Sequence, residues 1–171
     1  MKKNSNKARQ VMETDYSSWI LKEYLYWTLY LHEEKQLPYL GRCYAWWNDS
    51  SSIKGEKLSF GALPVEALVE LQKISQDVTI ACEALGYETV PYGKAFLLNT
   101  CYLANEEAHG HHMHVHFIPR SGVFFYAPCI NKQIEDYEWG RNYSSARQHR
   151  FRDNTSFEVV KRTMAGAIRT K

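Results

Sequence analysis

The stretch HGHHMHVHFIPR, residues 109–120, constrains the fold of this chain more than any other. Within it His112, His114 and His116 stand two apart, and Met113, Val115 and Phe117 occupy the positions between and after them. A strand turns successive side chains to opposite faces, so this spacing lines up three imidazoles on one face, about 7 Å per two-residue step, and three apolar groups on the other. A helix would scatter the same histidines over more than half its circumference. The segment therefore reads as a strand that Ile118 and Pro119 bring to an end. His111 falls on the opposite face if the strand already includes it, and is read as incidental.

A row of imidazoles admits three chemistries. It can be a polar stripe on a half-buried strand. It can ligate zinc or iron through neutral ring nitrogens. Or it can act at phosphorus, because an ordinary imidazole pKa near 6.5 leaves a neutral, nucleophilic nitrogen at pH 7. A zinc site recruits a further Cys, His or carboxylate, and the chain has neither a CxxC nor an HExxH partner. Attack on phosphorus is the favoured reading, with metal binding as its rival.

HMHVHFIPR resembles the signature of the histidine triad (HIT) superfamily, and its Pro-Arg ending is common in the hydrolase branch. LHEEKQLPYLGRCYAWW (31–47) is similar to the segment that bacterial HIT-like hydrolases place before their helix, and FLLNTCYLAN (96–105) to the strand and loop that precede the triad. The likeness spans residues 24–122. It implies a nucleotide hydrolase cleaving dinucleoside polyphosphates of the diadenosine tetraphosphate kind. No cofactor is required, a divalent cation can accompany the polyphosphate, and a homodimer through sheet or helix surfaces is expected by analogy.

The resemblance also implies roles. His114 is the nucleophile that becomes a nucleotidyl-histidine, with one ring nitrogen fixed by a backbone carbonyl near the first histidine. His116 donates beside the phosphate and leaving group, and His112 orients the cluster. Asn99 is a candidate phosphate or ribose contact, with a strand-end cap as the equal alternative. His32 and Glu34 lie where the family builds its nucleoside pocket. The chain departs from the pattern where many members carry Gln followed by Ser or Thr before the first triad histidine: Ala108 and His109 stand there, and His109 is the candidate substitute donor. Within the superfamily the alternatives are a nucleoside phosphoramidase or nucleotidyl transferase. Outside it they are a nucleotide-binding module without turnover and a metal-binding protein.

At 171 residues the chain is one domain's worth. No run of 18 apolar residues suggests a membrane span, and MKKNSNKARQ lacks the apolar core of a secretory signal, so a cytoplasmic protein is expected. Cys43, Cys82, Cys101 and Cys129 show no pairing framework and read as reduced, partly buried thiols. The net charge of +2 divides unevenly. Residues 1–10 hold four basic residues and no acid, and 141–171 hold eight basic against two acidic, leaving an acidic middle. The basic ends read as solvated tails; no nucleic-acid-binding module is visible, and neither a specific nucleic acid nor a membrane is expected as a partner.

The expected organisation is a flexible basic segment 1–15, a catalytic domain 16–125 and an extension 126–171. SSWILKEYL suggests a short helical start. Tyr24–Leu31 and Leu40–Trp47 read as antiparallel strands around a turn at Pro38, and 48–57 as a loop. The strongest helix runs Leu63–Leu85: Pro64 suits its first turn, Leu68, Leu71, Ile74, Val78, Ala81 and Leu85 form its apolar stripe, and Gly86 stops it. Ala95–Thr100 reads as a strand, VFFYAP as a further strand or extension, and Phe157–Ile168 as a terminal helix. The fold class is α+β: about five antiparallel strands with one long and one smaller helix.

Overall fold

A computed structural model describes residues 16–32, 36–48, 60–88, 97–103, 113–122, 124–137 and 154–169, with 97–103 described by its backbone pairing. The architecture is α+β. Strands β1 (Ile20–Glu23), β2 (Trp27–Leu31), β3 (Cys43–Trp47), β4 (Leu97–Leu103) and β5 (His114–Arg120) form one sheet in the order β1-β2-β3-β5-β4. Every neighbouring pair in it is antiparallel. Helix α1 (Val65–Ala84) lies between β3 and β4 in the chain; β6 (Phe125–Ala127) and β7 (Lys132–Ile134) make a separate hairpin, and α2 (Asn154–Arg169) follows.

The register explains how one sheet acquires two unlike faces. Leu29 pairs with Ala45 and Ala45 with Val115, while Cys43 pairs with Phe117. All five are buried in one apolar cluster with Ile74, Val78, Ala81 and Cys82 of α1 and Phe157, Val160, Met164 and Ile168 of α2. Removing side chains of the larger kind from water stabilises by about 1.5–3 kcal/mol each. The alternating positions Tyr44, His114 and His116 belong to the other face. The described elements after residue 125 thus share the same core, since α2 packs directly on α1 and β1 and Ala127 and Ile134 join the cluster.

The expected strand Tyr24–Leu31 begins only at Trp27, because residues 24–26 turn the chain from β1 into β2, and the expected helical start is a 3-10 turn (Tyr16–Trp19) running into β1. The cause is a distant carboxylate. Glu70 of α1 accepts from the backbone N–H groups of Leu25 (3.0 Å), Tyr26 (2.7 Å) and Trp27 (3.2 Å), which a continuous strand would have spent on its neighbours. Asn48 holds the same turn from the far side, donating to the carbonyls of Tyr24 (3.0 Å) and Leu25 (3.3 Å). Asp77, also on α1, accepts from Lys22 (2.9 Å) and Tyr24 (2.6 Å). Burial first, and then the Asp77 carboxylate, push the Tyr24 phenol up, so that it serves as a donor.

The expected strand Leu40–Trp47 begins only at Cys43 because residues 39–42 form a tight turn, Arg42 N–H donating to the Tyr39 carbonyl (2.9 Å). The fully buried Gln36 fastens it: its amide nitrogen donates to the carbonyls of Arg42 (2.9 Å) and His32, and its oxygen accepts from Gly41 N–H (2.8 Å). Gly41 has φ +83°, and a Cβ there would lie 2.7 Å from Leu85 Cδ1, so the turn can approach α1 only as glycine. Helix α1 matches its expected span within two residues, with Pro64 just outside it rather than in its first turn. Gly86 (φ +106°) ends it as expected, its N–H donating to Glu83 O at 2.9 Å. VFFYAP supplies β6, in the two-stranded sheet rather than the main one. Among the described residues no helix is long and apolar enough to cross a membrane.

Candidate functional site

Strand β5 delivers the chemistry-bearing residues because its pleat alternates and because it lies between β3 and β4. His114 stands opposite Trp46 on β3 and Leu103 on β4; His116 stands opposite Tyr44 and Cys101. Their ring centres are 4.8 Å apart and their planes nearly perpendicular, at 82°. Both are buried, with 4% of the surface of His114 and 7% of that of His116 exposed. Imidazoles are seldom taken out of water in a pair on a bare sheet surface, so this is a recessed polar site and not a surface stripe.

Three neighbours complete it. The Tyr44 ring lies 5.9 Å from that of His116. His32, at the end of β2, brings a third imidazole to 6.2 Å from His116 and 5.6 Å from Tyr44. Arg42, just before β3 and buried, places Nη2 3.4 Å from His116 Nδ1. Beyond them the same sheet face continues as an aromatic shelf. Tyr30 stacks on Tyr44 with centres 5.4 Å apart and planes 10° from parallel, Trp46 contacts both, and Tyr16 lies 5.1 Å from Trp46. Burial, then the charge of Glu23, raise the Tyr30 phenol, which a hydrogen bond from Thr28 partly offsets.

Of the residues singled out from the sequence, the structure brings His114, His116 and His32 together. Position 99 lies on β4 opposite Ile118, two steps along β4 from the partner of His116. His112, His109 and Glu34 lie outside the described residues, as does Ala108. Among the described residues no group of three or more His, Cys, Asp and Glu side chains is placed to hold a metal ion.

Two features of this region lie outside the sequence expectations. Arg42 precedes β3, and its spacing of two from Tyr44 and four from Trp46 is the signal that puts it on the histidine side. Arg120 is an anchor. Its guanidinium pairs with Asp136 (Nε to Oδ2 2.5 Å, Nη2 to Oδ1 3.3 Å) and covers the Tyr39 ring at 5.2 Å. Both partners of that ion pair are buried, so β5 is tied at its end to the chain just after β7.

No protein-family model matches the chain, and no curated protein matches it. The functional reading therefore stands on geometry and chemistry. A pair of buried imidazoles beside a guanidinium can offer a nucleophilic ring nitrogen, a ring N–H donor and a fixed positive charge within one side-chain layer. That is a combination suited to an anionic, oxygen-rich reacting group. Cys43 and Cys82 stand apart from it: both are fully buried in the apolar layer, and burial pushes both well above the ordinary thiol range.

Proposed function

We propose that this protein is a nucleotide hydrolase of the histidine triad type, acting on dinucleoside polyphosphates of the diadenosine tetraphosphate kind. The observation that carries the reading is the buried pair His114 and His116, side by side on β5 at 4.8 Å with Arg42 against the second ring. The five-stranded antiparallel sheet backed by two helices is compatible with a HIT-like fold.

In this reading a neutral nitrogen of His114 attacks the α-phosphorus. A P–N bond forms as the P–O bond to the leaving nucleotide breaks, and the departing oxygen takes the electron pair. His116 donates to the phosphate and leaving-group oxygens, a contribution of the preorganised kind that matters most in a site shielded from water. Water then attacks the phosphorus of the nucleotidyl-histidine: a P–O bond forms, the P–N bond breaks with its electron pair returning to the His114 nitrogen, and the water's proton passes to solvent, leaving the free nucleotide and a neutral His114. In the same reading His112 orients the cluster, Asn99 and His109 are candidate phosphate contacts, and His32 and Glu34 are candidate nucleoside contacts. No cofactor enters this scheme; a divalent cation would serve by neutralising the polyphosphate.

The test is turnover by purified protein on diadenosine tetraphosphate and, in parallel, on adenosine 5′-phosphoramidate. Release of AMP together with ATP from the polyphosphate at the higher kcat/KM supports the reading. Faster turnover of the phosphoramidate would reassign the substrate within the same chemistry. Full turnover by His114→Ala would overturn the mechanism.

A further inference from the structure

We propose that Arg42 is a positioning residue that fixes the tautomer of His116, keeping the ring proton on Nε2. A guanidinium has five donors, no acceptor and a permanent charge. In the 3.4 Å contact Arg42 therefore donates and His116 Nδ1 accepts. A ring nitrogen that accepts carries no hydrogen, so the neutral ring bears its proton on the other one. The same positive charge disfavours a second proton on the ring. Among the described residues, the rings of His114 on its own strand, Tyr44 from β3 and His32 just after β2 also lie against His116.

The main chain of Arg42 is unusually well held for a residue in a connection. Its N–H donates to Tyr39 O (2.9 Å), and its carbonyl accepts from His32 N–H (3.0 Å) and the Gln36 amide (2.9 Å). Gly41, the residue before it, lies close against Leu85. The guanidinium thus extends from a fixed turn, and the cross-strand pairing of Tyr44 with His116 holds the distance between the two backbones. A long flexible side chain could not hold one tautomer without such support.

The consequence for catalysis rests on the hydrolase reading: with the proton held on Nε2, His116 is a permanent donor to the leaving oxygen and never a competing nucleophile to His114. The tautomer itself does not depend on that reading. The experiment is histidine-selective 15N spectroscopy of the ligand-free protein, as wild type, Arg42→Lys and Arg42→Met, together with kcat and KM for each. Wild type is expected to show the Nε2–H form at His116, Arg42→Lys to retain it, and Arg42→Met to lose it. Arg42→Met should lower kcat by about 10- to 100-fold with KM little changed, and Arg42→Lys should recover most of the loss. A proton on Nδ1 of His116 in the wild type would overturn the inference whether or not the variants fold, as would an unchanged Nε2–H form in folded Arg42→Met. An Arg42-dependent tautomer in a wild type that hydrolyses no nucleotide would uphold the inference and overturn the hydrolase reading alone.

Discussion

On the helix-covered face of the central sheet stand Leu29, Ala45, Val115 and Phe117; on the opposite face of the same strands stand Tyr44, His114 and His116, with Arg42 at the start of β3. Both sets are buried. For the first, burial is the source of stability, because apolar surface leaves water and packs against α1 and α2. For the second, burial removes hydration from polar and charged groups, and only partners such as the Arg42–His116 contact offset that cost. One face is what the chain needs to fold. The other is tolerated by the fold, which is the usual mark of residues kept for chemistry.

The contrast can be broken or sharpened by substitution. The largest effect belongs to the polar face: His114→Asn should lower hydrolytic activity by about 10³-fold or more while moving the unfolding free energy by no more than about 1 kcal/mol, measured by turnover and by urea titration of the same preparation. A loss of stability matching the loss of activity would make His114 a core residue and erase the distinction. Phe117→Ala, one position beyond His116 and on the other face, should do the reverse. It should cost about 3–5 kcal/mol in urea unfolding and leave the folded fraction active.

Asp136→Asn comes next, because it strands the buried Arg120 guanidinium; about 3 kcal/mol of destabilisation is expected, with the end of β5 losing amide-exchange protection first. Glu70→Gln weakens the acceptor for three backbone N–H groups of the β1–β2 turn and should cost about 1–2 kcal/mol without altering turnover. The smallest effect is kinetic and separates the thiols. In native protein, Cys43 and Cys82 should resist a thiol reagent that modifies the half-buried Cys129, and all should react after unfolding. Prompt labelling of Cys43 would mean that the helix-covered face is open.

Periodicity made much of this legible. The two-residue alternation in HMHVHF marked β5 and its two faces, although the strand runs on through Ile118 and Pro119, where an end was expected, because β4 pairs with it as far as Arg120; the three-to-four spacing of Ile74, Val78, Ala81 and Leu85 with Gly86 marked α1 and its end. These are local signals, and local geometry decides them. What stayed hidden depends on partners far away in sequence. The break at 24–26 is set by Glu70, 44 residues beyond Tyr26, and nothing in YLYWTLYL announces it. The role of Arg42 follows from a histidine 74 residues away, and the anchoring of Arg120 from an aspartate beyond a second hairpin. Of the site, His114 and His116 could be read from the chain; the guanidinium beside them could be placed only once β3 and β5 were known to be neighbours.

The most direct test of the central claim is to quench the reaction of wild-type protein with a radiolabelled dinucleoside polyphosphate and map the labelled peptide. The account predicts an acid-labile, alkali-stable phosphorus–nitrogen linkage on His114, absent from His114→Asn. Turnover with no label at position 114, or label retained by His114→Asn, would contradict it.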